Sequence, residues 1–465
     1  MVGPHYLYSY QTSATGQLSL ELDRRGVSPF YWLGRDGTRQ IIPVPATTAE
    51  ANPPALEKWE TLTVQELTDN AGWRPLEHPM PFEALDCNLG YGWYRAVLAS
   101  RPPASSSHLA APSLSDRAHL YVDGVYAGTY GVGPTGPTLA LPLALTAGSH
   151  ELRLLVDNLG RFNYGSGLGE HKGLTDTLYG GGQQQDITQG WTALWQEASF
   201  AGEAIARAKP AHLRPDAENV DLSAFPFSGP DVWLLRPFGV PAGHRAMLYL
   251  TGDRNSGALY VNGLQVTRFS RHYGGGFFKF DVTEQLHPDG NNTIALYIRD
   301  YAGSPWRAWL LTYDPTQPLP AEWSFRAGVT PADHQPPTHS TGSPLPGVLG
   351  TVQTADHPSP IHPLLISNLQ SPSFFRARFP YHPNLHGLGP FKLSLYGLHK
   401  GQLWLNGHNL GRYWHIGPQE FYKVPVSWLQ GENELLIFEE EGGQPDEMRL
   451  WVDTLGTSQS VTISL

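Results

Sequence analysis

The stretch "GQLWLNG" at residues 401–407 predicts a strand that enters a hairpin turn. Its aliphatic residues alternate around one aromatic residue, so that Leu403 and Leu405 lie on one face of the strand and Trp404 on the other. Asn406-Gly407 then follows, and this pair tolerates the positive φ angles of a two-residue hairpin turn. The stretch therefore indicates one hairpin of an antiparallel sheet.

The same pattern occurs twice more, in "RAHLYVDG" at 117–124 and "SGALYVNG" at 256–263. Upstream of each copy lies an aromatic-rich strand that contains an arginine, namely Arg95, Arg236 or Arg376. From that arginine to the end of the returning strand, the three copies agree in length to within one residue. The chain therefore contains an internal repeat of three units, each with a strand, a hairpin and a returning strand.

Composition favours an all-β protein. The chain of 465 residues has 50 Gly and 41 Pro, 11% aromatic residues and only 16% charged residues, which is typical of short strands joined by many turns. We expect three antiparallel jelly-roll-like β-sandwich domains plus an N-terminal β segment. No helical period is long enough to supply the crossovers of a TIM barrel, so none is expected.

The repeat also suggests where the domains divide. We expect an N-terminal β segment at 1–60 and jelly-roll domains at 61–201, 202–330 and 331–465, with Pro-rich linkers at 201–221 and 332–350. The segment at 1–60 is too short for a core of its own and should pair with a neighbouring domain. "GWTALWQEASFAGE" at 190–203 resembles "AEWSFRAGVTP" at 321–331, which raises the alternative that the middle sandwich is inserted into another domain.

Charge and cysteine content exclude several functions. The net charge of −11 has no basic cluster, so nucleic acid is not an expected partner, and no apolar run approaches the ~20 residues of a membrane helix. Cys87 is the single cysteine, which excludes an internal disulfide and a cysteine zinc cluster. No metal or cofactor is expected. The first ten residues lack the features of a signal peptide, so a cytoplasmic location is expected.

Four long motifs resemble a known family. "DRAHLYVDG" at 116–124, "LRLLVDNLGRFNYGSGLGEHKGL" at 152–174, "SFFRARF" at 373–379 and the stretch at 401–439 resemble the β-domains that follow the catalytic barrel in family 35 glycoside hydrolases, the β-galactosidases. The resemblance implies jelly-roll or galactose-binding-like domains that buttress a (β/α)₈ barrel. In that family both catalytic carboxylates lie on barrel strands, which this chain lacks.

One dipeptide imitates the acid/base motif of the family. Asn433-Glu434 occupies the place that His150-Glu151 and Asn292-Thr293 hold in the other repeats, namely the turn before the returning strand. We therefore favour a turn function for it over catalysis, and no catalytic residue is predicted.

Two stretches are candidate carbohydrate-binding sites, the first within 401–439 and the second within 152–174. In each, polar groups surround an aromatic side chain that could stack on a sugar, although aromatic residues and polar anchors also hold sheets together. For both stretches we favour the structural interpretation. The candidates of the first stretch are Trp404, Arg412, Tyr413, Trp414, His415 and Gln419; those of the second are Arg161, Asn163, Tyr164 and Lys172.

The leading hypothesis is a non-catalytic β-sandwich portion of a family 35 β-galactosidase, inactive alone and active on galactosides only with a barrel domain or partner chain. One alternative is a freestanding carbohydrate-binding protein for galactose-containing glycans, and another is a structural scaffold. Expected partners are a galactose-containing carbohydrate, a catalytic barrel chain and further copies of the same chain. The sequence leaves sugar linkage, oligomeric state and bound calcium open.

Overall fold

The computed structural model describes residues 53–98, 108–195, 218–331, 371–382 and 391–452, and the backbone of five strands outside these ranges. Gaps within the ranges lie at 134–135, 144, 146–147, 162, 164–167, 225–227, 230–231, 253–255, 270–275, 300, 303–305 and 418. Most of the predicted linkers at 201–221 and 332–350 lies outside the described residues. The described part is all-β, as predicted from the sequence, and its helices are single 3₁₀ turns.

The strands are short and are numbered in chain order. Near the N-terminus these are β1 (Leu7–Thr12), β2 (Gln17–Asp23), β3 (Phe30–Leu33), β4 (Arg39–Ile42), β5 (Glu60–Leu62) and β6 (Arg74–Leu76). The next are β7 (Tyr91–Leu98), β8 (His108–Ala110), β9 (Leu114–Ser115), β10 (Arg117–Val122), β11 (Val125–Gly131), β12 (Ala140–Pro142), β13 (His150–Asp157), β14 (Gly173–Leu174), β15 (Tyr179–Gly180), β16 (Gln183–Asp186) and β17 (Trp191–Trp195).

The strands from β18 to β28 follow; β18 to β27 span the middle repeat, and β28 comes after it. They are β18 (Glu218–Val220), β19 (Ser228–Gly229), β20 (Val232–Gly239), β21 (Arg245–Gly252), β22 (Ser256–Val261), β23 (Leu264–Phe269), β24 (Gly276–Asp281), β25 (Asn291–Arg299), β26 (Tyr301–Ala302), β27 (Arg307–Tyr313) and β28 (Glu322–Ala327).

The last repeat supplies the remaining strands. They are β29 (Ser373–Pro380), β30 (Phe391–Ser394), β31 (Lys400–Leu405), β32 (His408–Trp414), β33 (Phe421–Val424), β34 (Glu432–Glu439), β35 (Leu450–Val452) and β36 (Ser458–Ser464). The 3₁₀ turns are Gln65–Leu67, Phe82–Leu85, Leu222–Ala224, Thr283–Gln285, Val426–Trp428 and Pro445–Glu447.

These strands pair into antiparallel sheets. The first sandwich has a sheet of order β11-β10-β13-β7-β28-β6 and a sheet of order β12-β8-β15. The second has sheets β18-β17-β20-β25-β22-β23 and β16-β27-β21-β24, and the third has β32-β31-β34-β29-β5 and β33-β30-β35. None of these described sheets is parallel or alternates with helices, so the described residues contain no (β/α)₈ barrel.

The described residues form two compact units. One contains those within 1–65, 330–338 and 368–465, and the other those within 66–329. In the first unit, the N-terminal β2 pairs with β36, and β5 pairs with β29 of the third sandwich. β2 and β5 therefore pair with strands from the C-terminal part of the chain, whereas β3 and β4 pair with each other.

The second unit holds the first and second sandwiches. After the second sandwich the chain returns to the first, where β28 pairs with β7, while β17 pairs with β20 of the second sandwich. The domain division at residues 61, 202 and 331 stays a prediction. β17 lies before residue 202 and pairs with β20 after it, whereas β28 lies after residue 202 and pairs with β7 before it.

The core residues confirm the predicted alternation. On β10, Leu120 and Val122 face the core of the first sandwich, and the corresponding Leu403 and Leu405 face the core of the third. Leu259 and Val261 do the same in the second. The opposite faces also carry apolar residues, because Tyr121 and Tyr260 are 1% and 7% exposed. Central sheets with two apolar faces are typical of strands that are covered on both sides.

Each hairpin turn is held by the side chain of its first residue. Asn406 has φ of 51° and Gly407 has φ of 77°, as a two-residue turn with two positive φ angles requires. Asn406 Nδ2 donates to the carbonyl of Trp428 at 2.7 Å and to Asn433 Oδ1 at 2.9 Å. Its Oδ1 accepts from the amide of Glu434 at 2.8 Å. The turn is thereby attached to the start of the returning strand β34.

The other two repeats make the same attachment. Asn262 donates to Asn292 Oδ1 at 2.8 Å and accepts from the amide of Thr293 at 3.0 Å. Asp123 accepts from the amide of Glu151 at 2.8 Å and lies 2.7 Å from Nδ1 of His150. We call this arrangement the turn clamp, and it joins two strands of each central sheet at one end.

We expect Asn406→Ala to lower the free energy of unfolding of the first unit by about 2 to 3 kcal/mol, because it removes the donor and acceptor that the partly buried partners use. Asn406→Asp keeps the acceptor for the Glu434 amide and should lose less. Urea unfolding followed by tryptophan fluorescence measures the change.

The matched control is Asn409→Ala, since Asn409 is an exposed asparagine on the same hairpin. It should change the free energy of unfolding by less than about 0.5 kcal/mol. Equal losses in Asn406→Ala and Asn409→Ala would contradict the turn clamp.

Candidate functional site

The candidate residues of the third sandwich lie along β32 and the loop after it. The strand forms because Leu410 and Tyr413 contribute to the core while Gly411 permits a bulge. Gly411 has φ of 145°, and a Cβ there would lie 2.6 Å from the ring of Tyr422. The hydroxyl of Tyr422 donates to the carbonyl of Arg412. The backbone of this hairpin is therefore locked against β33.

Tyr413 lies in the core, only 4% exposed. Its hydroxyl contacts the carbonyl of Phe438 at 3.0 Å and Glu439 Oε2 at 2.7 Å. A ring buried in this way offers no face to a sugar, which favours the structural interpretation for Tyr413.

Trp404 and Trp414 are both half-buried. The Trp404 ring lies 6.4 Å from that of Phe374, on the face of the sheet opposite the core. The Trp414 ring has the Lys400 ammonium 5.3 Å from its centroid, within the range of a cation–π contact. Both rings are thus engaged in contacts within the unit.

The polar candidates that follow β32 are more accessible. His415 is exposed, its Nδ1 lies 3.3 Å from the carbonyl of His399, and the two histidine rings are 5.5 Å apart. Gln419 is exposed, and its Oε1 lies against Gly417, 2.7 Å from where a Cβ would be. Arg412 and Trp414 lie on β32, and His415 directly follows it, so these candidates are close mainly because they are adjacent in the sequence.

A buried ionic cluster lies beside this hairpin, and sequence reasoning missed it. Lys400 and Glu440 form an ion pair and are 2% and 1% exposed. Glu439 is 1% exposed and accepts from the amides of His399 at 3.1 Å and Glu441 at 3.0 Å. Burial raises the pKa of the Glu439 carboxyl above its ordinary value. The signal in the sequence is the acidic run at 439–441, which begins at the last residue of β34.

The second candidate stretch lies in the first sandwich, on the loop between β13 and β14. Lys172 is 3% exposed, and its Nζ lies 2.8 Å from both oxygens of Asp116 and 2.9 Å from Glu170. The ammonium is therefore occupied by carboxylates of the protein itself. Asn163 is exposed, and Tyr164 lies outside the described residues.

Arg161 holds the same loop to the 3₁₀ turn at Phe82–Leu85. Its Nε donates to Glu83 Oε1 at 3.0 Å, and its Nη1 donates to the carbonyl of Asn88 at 3.0 Å. Glu83 also accepts from the backbone amide of Lys172 at 3.2 Å. Arg161 and Lys172 thus fasten the loop at two points through different acids.

The arginines that recur in the repeat contact different partners. Arg95 pairs with Glu151, Arg376 pairs with Glu60 at 2.6 Å, and Arg236 donates to the carbonyl of Pro237 at 3.1 Å. Three different environments at equivalent positions agree with a requirement of the sheet more than with three copies of one site.

Asn433 uses its whole hydrogen-bonding capacity in the turn. Its Oδ1 accepts from Asn406 Nδ2 and from the Gln430 amide, while its Nδ2 donates to the carbonyls of Gln430 and Phe379. Its neighbour Glu434 lies 3.4 Å from Arg378 Nη2 on the surface. Among the described residues no three His, Cys, Asp or Glu side chains are grouped as metal ligands, and no helix is long and apolar enough to cross a bilayer.

These features define a multi-sandwich protein whose polar loops are fastened by internal ion pairs and turn clamps. Residues 79–195 match the family model described as "Beta-galactosidase, first all-beta domain", and residues 372–433 match "Beta-galactosidase, galactose-binding domain". The two matched stretches are thus similar to β-domains of β-galactosidases. This agrees with the β-galactosidase resemblance of the sequence motifs, while the assignment to family 35 stays a prediction.

Curated relatives agree with this assignment. The chain is 27% identical over 229 residues to a β-galactosidase of Xanthomonas manihotis, covering 44% of this chain and 36% of that protein. It is 28% identical over 154 residues to that of Bos taurus and 35% identical over 104 residues to that of Homo sapiens. These matches cover 30% and 22% of this chain and 23% and 14% of the two proteins. The chain thus spans well under half the length of the relatives it matches.

Solved structures overlap with the chain only loosely. A glycosyl hydrolase family 2 member from Bacteroides cellulosilyticus has a TM-score of 0.24 at 12% identity, covering 60% of this chain and 36% of that chain. A β-glucuronidase of Bacteroides uniformis has a TM-score of 0.24 at 15% identity, with 61% and 32% covered.

We expect Lys172→Met to lower the free energy of unfolding of the second unit by about 2 kcal/mol, because it removes a buried cation from the part-buried carboxylates of Asp116 and Glu170. Arg161→Ala should cost less than about 1 kcal/mol, since its ion pair is more exposed. Denaturant unfolding compares the two variants. Unchanged stability of Lys172→Met together with lost affinity for a galactan would instead make Lys172 a ligand-binding residue.

The pH dependence of stability should report Glu83. Burial raises the pKa of Glu83, but the hydrogen bonds from Arg161 and from backbone amides outweigh burial and hold the pKa below 4.5. The folded state therefore favours the ionised carboxylate of Glu83. The resulting stabilisation is fully present above the unfolded pKa of about 4.5 and is lost as the pH falls through the folded pKa. Glu83→Gln should make the unfolding free energy less dependent on pH between pH 5 and the folded-state pKa of Glu83. An unaltered pH profile in Glu83→Gln would show that the loop pairing contributes nothing.

Proposed function

We propose that this chain supplies non-catalytic β-domains of a family 35 β-galactosidase, which act on galactosides together with a catalytic barrel. The assignment to family 35 rests on the four motifs quoted above, and the β-galactosidase domain matches support it in general terms. A cytoplasmic location and association with further copies of the chain stay predictions.

The observation that carries this proposal is the burial of the neighbouring acids Glu439 and Glu440. A retaining glycosidase needs two carboxylates about 5 to 5.5 Å apart that a substrate can reach. Glu439 and Glu440 are each 1% exposed and are engaged by backbone amides and by Lys400. Asn433 and the backbone amide of Glu434 belong to the turn clamp. The Glu439 and Glu440 carboxylates are therefore closed to a glycosidic oxygen, and Asn433 is occupied in the turn.

Carbohydrate binding is a second candidate function. It is favoured by the match of residues 372–433 to a domain described as galactose-binding. On this proposal the chain holds a galactose-containing glycan near the active site of the barrel, with the exposed His415 and Gln419 as accessible polar candidates.

We expect the purified chain to show no turnover of a chromogenic galactoside. A β-galactosidase that contains a barrel serves as the positive control, and addition of a barrel-containing partner chain should restore turnover. Hydrolysis by the chain alone that Glu434→Gln or Glu439→Gln abolishes would overturn the proposal, because it would place a catalytic acid in the β-domains.

A further inference from the structure

A cavity of about 670 Å³ lies between the first and second sandwiches, within the second unit. Two sheets face each other there, since Ala110 of β8 and Leu311 of β27 belong to one apolar cluster. The lining comes from the loop at 136–138, from β12 and from β16, with Trp309 of β27 beside them. The volume is within the range of about 300 to 1,000 Å³ that small-molecule sites occupy.

A glutamine of β16 joins the two walls of this cavity. Gln184 Oε1 accepts from the amide of Leu139 at 2.7 Å, and its Nε2 donates to the carbonyl of Pro137 at 2.8 Å. Gly136 lies against Trp309, since a Cβ at Gly136 would be only 2.7 Å from Cζ2 of that ring. The protein makes these contacts by itself, so the walls are in place before a ligand arrives, which lowers the cost of ordering on binding.

Strand register places a carboxylate beside the tryptophan. Asp186 is directly opposite Trp309 where β16 pairs with β27, and residues directly opposite share one face of the sheet. Trp309 is 5% exposed and forms a fixed wall, whereas Asp186 is exposed. Asp186 Oδ1 accepts from the amide of Thr188 at 2.8 Å, and its Oδ2 has no partner among the described residues. One carboxylate oxygen therefore remains available to a ligand.

Two further polar residues line the cavity. Thr138 is half-buried and Gln183 is exposed, and no described residue forms a hydrogen bond with either side chain. Pro137 and Pro142 supply apolar surface next to them. Among the described residues of the lining, none is a lysine or an arginine. The lining thus combines apolar walls with a hydroxyl, a carboxamide and a carboxylate, and we call it the inter-sandwich cleft.

We propose that the inter-sandwich cleft binds a neutral oligosaccharide. A sugar hydroxyl both donates and accepts hydrogen bonds, so one kind of ligand group serves the carboxylate of Asp186, the carboxamide of Gln183 and the hydroxyl of Thr138. An anion would be repelled by Asp186 and would find no cation in the described lining. An amine would pair with Asp186 but would bring no acceptor for the Gln183 and Thr138 donors.

A peptide is the alternative occupant, because β16 is an edge strand and an extended peptide can add to such an edge. A peptide bound in that way would use the backbone of β16 and leave the loop wall with Thr138 aside. We therefore favour the oligosaccharide. The proposal goes beyond the proposed function, since the cleft lies in the second unit whereas His415 and Gln419 belong to the first.

Isothermal titration calorimetry of the full chain provides the test. The ligands are galactotetraose, cellotetraose and mannotetraose as neutral sugars, with tetragalacturonate, spermine and an extended threonine-valine tetrapeptide for comparison. We expect at least one neutral tetrasaccharide to bind at least tenfold more tightly than the three comparison ligands, with little dependence on salt. Binding of none of the neutral sugars, or equal binding of any comparison ligand, would overturn the proposal.

Variants of the lining identify the cleft. Asp186→Asn keeps an oxygen for the Thr188 amide but removes the charge, and it should weaken binding of the neutral sugar about tenfold. The same variant should bind tetragalacturonate more tightly than the unchanged chain does, because the repulsion is gone, and a merely structural role of Asp186 would not produce that gain. Thr138→Val keeps the shape of the side chain and should weaken sugar binding about threefold or more.

Gln185→Ala is the matched control, because Gln185 is an exposed glutamine of the same strand that does not line the cleft. It should bind as the unchanged chain does, and the thermal midpoints of all three variants should agree, which separates a lost site from a lost fold. Undiminished sugar binding in both Asp186→Asn and Thr138→Val would exclude the cleft. That result would leave the non-catalytic proposal intact, because galactoside turnover is measured separately.

Discussion

The turn clamp is the interaction on which the architecture of each sandwich depends. A carboxamide or carboxylate at the first turn position, Asn406, Asn262 or Asp123, reaches the backbone amide at the start of the returning strand. One short side chain thereby fixes the turn, the end of the hairpin and the register of a third strand. Because side chains alternate faces along a strand, a shift of one residue in that register would expose the core face.

Both faces of the central sheets are apolar, and this determines what the loops must do. On β7 and β20 the outer residues Trp93 and Trp233 are fully buried like those that face the core. In the first sandwich Arg153 lies on this outer side, donates to Asn70 Oδ1 at 3.0 Å, and has its guanidinium 5.6 Å from the Trp73 ring. In the first sandwich these contacts hold the segment of Asn70 and Trp73 over the outer face of the sheet.

Three of the candidate binding residues, Arg161, Lys172 and Tyr413, make such contacts within the protein. Lys172 is occupied by Asp116 and Glu170, and Tyr413 is occupied by Glu439. A buried cation surrounded by carboxylates has little left to offer a ligand, whereas removing it leaves the carboxylates without a partner. The candidates that remain exposed are Asn163, His415 and Gln419.

The sequence by itself determined the hairpins, the alternation of the strands and the repeat, because each depends on residues that are adjacent in the chain. The Asn-Gly and Asp-Gly pairs and the period of two are local signals, and they also led to the β-galactosidase resemblance. Only the tertiary structure decided that β28 pairs with β7 and that Lys400 pairs with Glu440, since these partners are far apart in sequence. It also decided which aromatic rings are buried and which are exposed, because the same alternating pattern precedes both and exposure depends on what packs on each face.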